Sequence, residues 1–243
     1  MKRKPLFRIA VSFLTILPFS PKDYEEGDLA RAGVFFPLVG MFLGSVNLGI
    51  WFLCFSLSRD PVFSSFTALC VWILLTRGLH LDGVSDVCDA LAVGREKRQA
   101  VLKDSRVGAF GVLGILLFLG WKFLALVGMQ NPWYLWIAPV WGRIGVLQLG
   151  VFARPLPEGK GLGKEFIGRV PWWSLLLWMV LLGGGMVWWR GGVHVLKIAV
   201  SFGIMYTLEK FLSFHFGGLN GDMLGMGIEV GEILTLWWGR FWP

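Results

Sequence analysis

The run ARAGVFFPLVGMFLGSVNLGIWFLCFSL, Ala30 to Leu57, holds one charged residue at its edge and none in its interior. A helix that is apolar all round has no face to offer water, so it belongs inside a protein core or a bilayer. Its length exceeds the roughly 20 apolar residues that cross a hydrocarbon layer. Further runs follow the same pattern at Val62 to Leu79, Val107 to Met129, Trp133 to Phe152, Pro171 to Trp189, Val193 to Leu212 and Met223 to Trp238. Composition agrees, with 55% hydrophobic and 16% charged residues and a mean hydropathy of +0.64. No strand-period alternation suggests a membrane barrel. The expected fold is all-α: a polytopic integral membrane helical bundle of about six to seven transmembrane helices plus interfacial helices. It forms a single domain over residues 1–243. Pro37, Gly40 and Gly44 are expected to tilt or break the first span. The preceding LFRIAVSFLTILPF is too short to span, and reads as an interfacial or re-entrant helix. Arg8 and the lack of a small-residue cleavage site argue against a signal peptide.

Orientation follows from Lys and Arg. With a cytoplasmic N-terminus, Lys2, Arg3, Lys4, Arg8, Lys22 and Arg31 lie inside, as do the clusters at 95–106 and 154–169, while the opposite loops hold only Arg59 and Arg190. This asymmetry fits the positive-inside rule for a multi-pass membrane protein with a cytoplasmic N-terminus. The net charge of +7 therefore reads as topology and contact with anionic membrane lipid, not nucleic-acid binding. Cys54, Cys70 and Cys88 are too dispersed for a disulfide framework or a zinc site.

Against this apolar background the acids stand out. RGLHLDGVSDVCDAL places Asp82, Asp86 and Asp89 just after a span. On a helix Asp86 and Asp89 fall about 40° and about −20° from Asp82, which makes one acidic stripe. His80 precedes it, and Gly83 leaves room for a ligand or another backbone. Like charges on one face repel, and a hard divalent cation such as Mg²⁺ is the natural compensator. A solvated loop face is the plainer reading. KDSRVGAFG sets Asp104 beside Arg106 before a small-residue helix start, which suits phosphate handling or a plain boundary ion pair. ARPLPEGKGLGKEF surrounds Gly161 and Gly163 with Arg154, Lys160 and Lys164, a basic turn able to hold a diphosphate. GGLNGDMLGMGIEVGEIL carries Asp222, Glu229 and Glu232 on one side of a helix, with Gly221, Gly225, Gly227 and Gly231 in small-xxx-small spacing.

In the assigned orientation all four islands face the cytoplasm, which points to one composite site there. Arg143 is the best candidate among the other intramembrane charges; Lys122, Lys197, Glu209 and Lys210 line a cavity, pair with each other or snorkel. No nucleophile elbow accompanies His80, His194 or His215. A cation- or proton-coupled transporter is the alternative, but transporters place their sites near the midplane and often show repeated halves.

HLDGVSDVCDA, KDSRVGAFG, ARPLPEGKGLG and GGLNGDMLG, with FLTILPF and RAGVFFPLVGMFLG, resemble the cobalamin synthase family, the adenosylcobinamide-GDP ribazoletransferases, nearly end to end and in order. The pattern departs at Ala90, where Gly is frequent, and at Asn220, where Thr is. The resemblance implies a membrane phosphoalcohol-type transferase. It would join adenosylcobinamide-GDP to α-ribazole or its 5′-phosphate and release GMP. It further implies Mg²⁺ held by Asp82, Asp86 and Asp89, with Asp104 and Asp222 as additional ligands. Asp86 or Asp89 would take the hydroxyl proton, and His80 would orient an aspartate or the ribose. Arg106, Arg154, Lys160 and Lys164 would contact phosphates. Glu229, Glu232 and Arg143 remain further candidates, and a homo-oligomer is left open.

Overall fold

The structure is a computed structural model that describes residues 5–19, 24–157, 161–185, 188 and 193–241. Among these, helices account for the regular structure: α1 (Leu6–Leu14), α2 (Asp28–Ala32), α3 (Phe36–Ser58), α4 (Pro61–Leu75), α5 (Leu79–Leu91), α6 (Arg98–Val101), α7 (Ala109–Val127), α8 (Trp133–Phe152), α9 (Leu162–Phe166), α10 (Trp172–Trp178), α11 (Val193–Phe216) and α12 (Gly221–Phe241). A 3-10 turn at Gly33–Phe35 joins α2 to α3, and a π turn at Met179–Gly183 continues α10.

Among the described residues three helical stretches are long and apolar enough to cross a membrane: Asp28–Ser58, Ala109–Val127 and Trp133–Phe152; α4 and α5 together make a fourth, bent one. The two long C-terminal helices fall outside that group. They carry Lys197, Glu209 and Lys210, and Asp222, Glu229, Glu232 and Arg240 respectively. The fifth expected span, Pro171 to Trp189, is seen as the shorter Trp172–Gly183 and runs partly outside the described residues.

Helix α8 is the axis of the bundle, buried over most of its length, with α3 and α12 on either side. In a membrane, helices associate through close packing of small residues rather than through expulsion of water. Of the tilt or break expected at Pro37, Gly40 and Gly44, no break occurs: α3 runs through all three from Phe36 to Ser58, after the 3-10 turn at Gly33–Phe35. Pro37 sits in the first turn of α3, where its missing N–H is harmless, while Gly40 and Gly44 lie backbone to backbone against Pro139 and Trp136 of α8. On the other side Gly231 of α12 meets Gly142 of α8, where an added Cβ would be 3.0 Å from the Gly142 Cα.

The second expected span is corrected by the structure. It stops at Leu75, the chain takes positive φ at Arg77 and Gly78 (56° and 65°), and α5 leaves at 85° to α4. The Thr76 hydroxyl donates to the Trp72 carbonyl, closing the end of α4. The turn separates an apolar helix from an amphipathic one, so the acid stripe does not extend the span but crosses its end.

Four charges inside the bundle pair with one another, while the buried Lys197 donates to the Tyr134 hydroxyl at 2.9 Å. Lys122 Nζ on α7 lies 2.7 Å from Glu229 and 2.5 Å from Glu232 on α12, and Arg143 on α8 pairs with Glu232. The face of Trp72 lies 4.4 Å from the same ammonium. This cluster ties α7, α8 and α12 together with its charges mutually compensated. Helix α1 is too short to span; it packs Ile9, Ala10 and Leu14 into the core beside α2 and α3.

Candidate active site

Helix α5 forms where LHLDGVSDVCDAL offers buried Val84, Val87 and Ala90 on one side and acids on the other. Its acids have different surroundings despite sharing a face. Asp82 is exposed and lines a cavity of about 560 Å³. Asp86 is half-buried, and the negative charges of Asp222, Asp82 and Asp89 all bear on it. Asp89 turns to α7: its two carboxylate oxygens accept from the backbone N–H groups of Gly108 and Gly111, each at 2.7 Å. That caps the N-terminus of α7, where donors lack intrahelical partners and negative charge is favoured. Gly108 and Gly111 are needed for it, since a Cβ at either would run into the Asp89 carboxylate.

Gly83 does leave room, and another backbone takes it. Gly83 packs directly on the Asp222 backbone at the start of α12, and Gly225 lies one turn further along against His80. Asp222 is thereby brought to the same cavity as Asp82 and His80. Asn220 organises this corner. Its amide nitrogen donates to Asp222 Oδ2 at 2.7 Å, and its oxygen accepts from the Met223 N–H at 3.2 Å as an N-cap.

The basic segment is fastened beside them. The Leu156 N–H donates to Leu219 O at 2.8 Å and the Leu219 N–H to Arg154 O at 2.9 Å, a parallel bridge that holds the chain after α8 against the turn before α12. Gly161, with φ of 86°, starts α9, and Gly163 packs on the Gly221 backbone. Gly163 lines the cavity, whereas Arg154 and Lys164 are exposed and do not; Lys160 lies outside the described residues.

From the second island it is Lys103 that reaches the cavity. Asp104 and Arg106 hold each other in a two-pronged pair of 2.6 to 3.1 Å at the surface. The guanidinium holds the Asp104 carboxyl down to about 2 through these hydrogen bonds. Glu229, Glu232 and Arg143 stay in the buried ion cluster and do not line the cavity. All four polar islands therefore contribute to one place, through His80 and Asp82, Lys103, Gly163, and Asn220 with Asp222.

The cavity's buried walls are apolar. Phe13, Phe36 and Phe166 stand along it, with Phe36 stacked between the other two at 5.8 and 5.2 Å, and Val146 and Ile228 lie beside them. Sequence reasoning missed these residues. Phe13, Phe36 and Val146 belong to apolar runs in which nothing distinguishes a cavity wall from a lipid-facing side chain, and Phe166 and Ile228 lie inside the polar islands, where the charged residues carry the signal.

Residues 6–239 match the sequence model of the cobalamin-5-phosphate synthase family. The chain belongs to that family. It is similar to proteins named adenosylcobinamide-GDP ribazoletransferase from Geotalea daltonii, at 38% identity over 95% of both chains. Others so named are from Acinetobacter baumannii, 31% identical over 95% of this chain and 94% of that one, and Pseudomonas fluorescens, 34% identical over 95% and 97%. No solved structure matches. The four polar islands converge on the cavity at the meeting of α5, α9 and α12.

Proposed function

We propose that the protein joins adenosylcobinamide-GDP to ribazole or its 5′-phosphate, yielding adenosylcobalamin or its 5′-phosphate and GMP. A hydroxyl oxygen of the ribose forms a bond to the phosphorus carried by the cobinamide. The bond from that phosphorus to the oxygen bridging to GMP breaks, and the hydroxyl proton passes to a carboxylate. The observation that carries this reading is the single cavity shared by all four polar islands, with two carboxylates and a lysine on it.

Such a transfer needs charge neutralisation on phosphoryl oxygens, a proton acceptor and a stabilised leaving group. Asp82, Asp86 and Asp222 offer hard oxygen donors suited to Mg²⁺. Among the described residues no three acidic, His or Cys side chains gather into a group that could hold a metal ion, so the ion would have to complete its shell with water and substrate phosphate oxygens. When bound, Mg²⁺ would supply Lewis-acid neutralisation of the diphosphate. Lys103 at the cavity and Arg154 and Lys164 beside it neutralise the remaining phosphate charge. Asp82 or Asp86 receives the proton. Asp89 and Asp104, already engaged with Gly108, Gly111 and Arg106, hold the surrounding loops. Facing this site to the cytoplasm, as the distribution of Lys and Arg suggests, puts both nucleotide-bearing substrates on the side where they are soluble.

The test is GMP release by detergent-solubilised protein supplied with both substrates, with and without Mg²⁺. Turnover without a sealed vesicle, lost on chelation and in Asp222→Asn, supports the transferase. Absence of GMP release from wild-type protein in the presence of Mg²⁺ overturns it.

A further inference from the structure

The cavity divides into two chemically different parts. Its exposed rim carries Asp82 and Lys103, with Asp222 half-buried beside them. Its buried walls are Phe36, Phe166, Val146 and Ile228, each 1 to 2% exposed. One polar side chain is embedded among them: His80, 3% exposed, lines the cavity, and neither ring nitrogen has a hydrogen-bond partner. Buried polar groups are normally paired, and an unpaired one in a cavity wall is a place for a ligand to supply the partner once the ring turns toward it.

Size narrows the occupant. A volume of about 560 Å³ lies within the roughly 300–1,000 Å³ of pockets that enclose one small molecule. It takes a nucleoside and excludes a corrinoid. Chemistry then separates the two nucleosides of the proposed reaction. Guanine presents an amide, an amino group and ring nitrogens around its edge, most of which would face hydrocarbon here. The benzimidazole of ribazole presents a flat apolar ring system with a single free nitrogen lone pair. Apolar walls with one buried imidazole match the second and leave the first unpaired.

Resting on the reaction proposed above, we propose that the cavity is the ribazole subsite. The benzimidazole enters against Phe13, Phe36 and Phe166, and its free ring nitrogen accepts a hydrogen bond from His80. The ribose projects to the Asp82 and Asp222 rim. The corrinoid and the guanosine stay outside, so that only the diphosphate of the activated substrate reaches the rim.

The test uses detergent-solubilised full-length protein. Tritiated ribazole should bind wild type alone, and a hundredfold excess of guanosine should leave that binding intact. In steady-state assays His80→Leu and the cavity-filling Val146→Phe should raise KM for ribazole at least tenfold. KM for the GDP-activated corrinoid should stay within twofold. His80→Gln, which keeps an N–H donor, should recover most of the loss. Displacement of ribazole by guanosine, or a KM increase confined to the corrinoid substrate, overturns the subsite while leaving the reaction standing. Wild-type protein that binds ribazole but releases no GMP would overturn the reaction and leave the subsite.

Discussion

Gly83 and Asp222 touch backbone to backbone: a single Cβ at Gly83 would overlap the Asp222 carbonyl. Through this contact the stripe on α5 and the acid at the head of α12 share one cavity. Asp82 and Asp222 repel each other across it, and tight packing holds them together against that repulsion. Functional sites characteristically keep such locally unfavourable arrangements within a structure that is stable elsewhere.

Gly83→Ala should therefore act as a spacer. Overpacking of this kind costs about 1–3 kcal/mol, and separating α5 from α12 pulls Asp222 from the rim. GMP release should fall at least tenfold, with a lowered unfolding temperature in detergent. Wild-type activity in this variant would show that the contact does not set the site.

Asp82→Asn and Asp89→Asn should part company although both remove a carboxylate from the same stripe. Asp82 lines the cavity and Asp89 caps α7. The first should abolish turnover without loss of stability, because it relieves like-charge repulsion. The second leaves a backbone N–H of Gly108 or Gly111 without its acceptor, worth about 1–3 kcal/mol, so stability falls and turnover drops only in part. Parallel melting curves and initial rates distinguish them, and an Asp89→Asn protein that is fully stable but inert would return Asp89 to the chemistry.

Helical phase alone aligned Asp82, Asp86 and Asp89 and said nothing of what lay opposite each, and here the limit of the sequence is visible. The stripe exists, and the polar islands do converge. The small-xxx-small spacing of α12 was readable because glycines in a membrane helix have few uses besides close packing; Gly225 and Gly231 meet His80 and Gly142. What pattern could not supply is the partner of each charge. Asp104 and Arg106 suited either phosphate handling or a plain boundary ion pair, and in the structure they form the pair. Glu229 and Glu232 looked like further site acids, but their partners Lys122 and Arg143 stand far away in sequence. The bend after Leu75 falls at the polar step Thr76-Arg77-Gly78, which on its own reads equally as the frayed end of a span, and the positive φ at Arg77 and Gly78 makes it a turn.

Lys122→Met tests the ion cluster. Removing one partner of a buried pair costs about 3–5 kcal/mol because a charge is left uncompensated. Among the described residues Glu229 would keep no cation within ion-pair distance, while Arg143 still answers Glu232. The folded fraction should fall sharply in detergent, yet the protein that remains folded should turn over at close to the wild-type rate, since the cluster does not line the cavity. A stable but inactive Lys122→Met would place these charges in the reaction and revive an ion-pathway role.

Asn220 does two jobs that substitution can separate. Its oxygen caps α12 through the Met223 N–H, and its amide nitrogen donates to Asp222. Asn220→Asp keeps the cap, since aspartate is as good an N-cap as asparagine, but replaces the donor to Asp222 with a second negative charge. Stability should change little while the rate falls at least tenfold. Asn220→Ala loses both functions, with the cap worth about 1 kcal/mol, so its melting temperature falls as well. Asn220→Asp should be the more stable of the two although it carries the greater negative charge at the rim. If Asn220→Asp turned over like wild type, the hydrogen bond to Asp222 would be packing alone, and the orientation of that carboxylate would have to be set by the bound substrate.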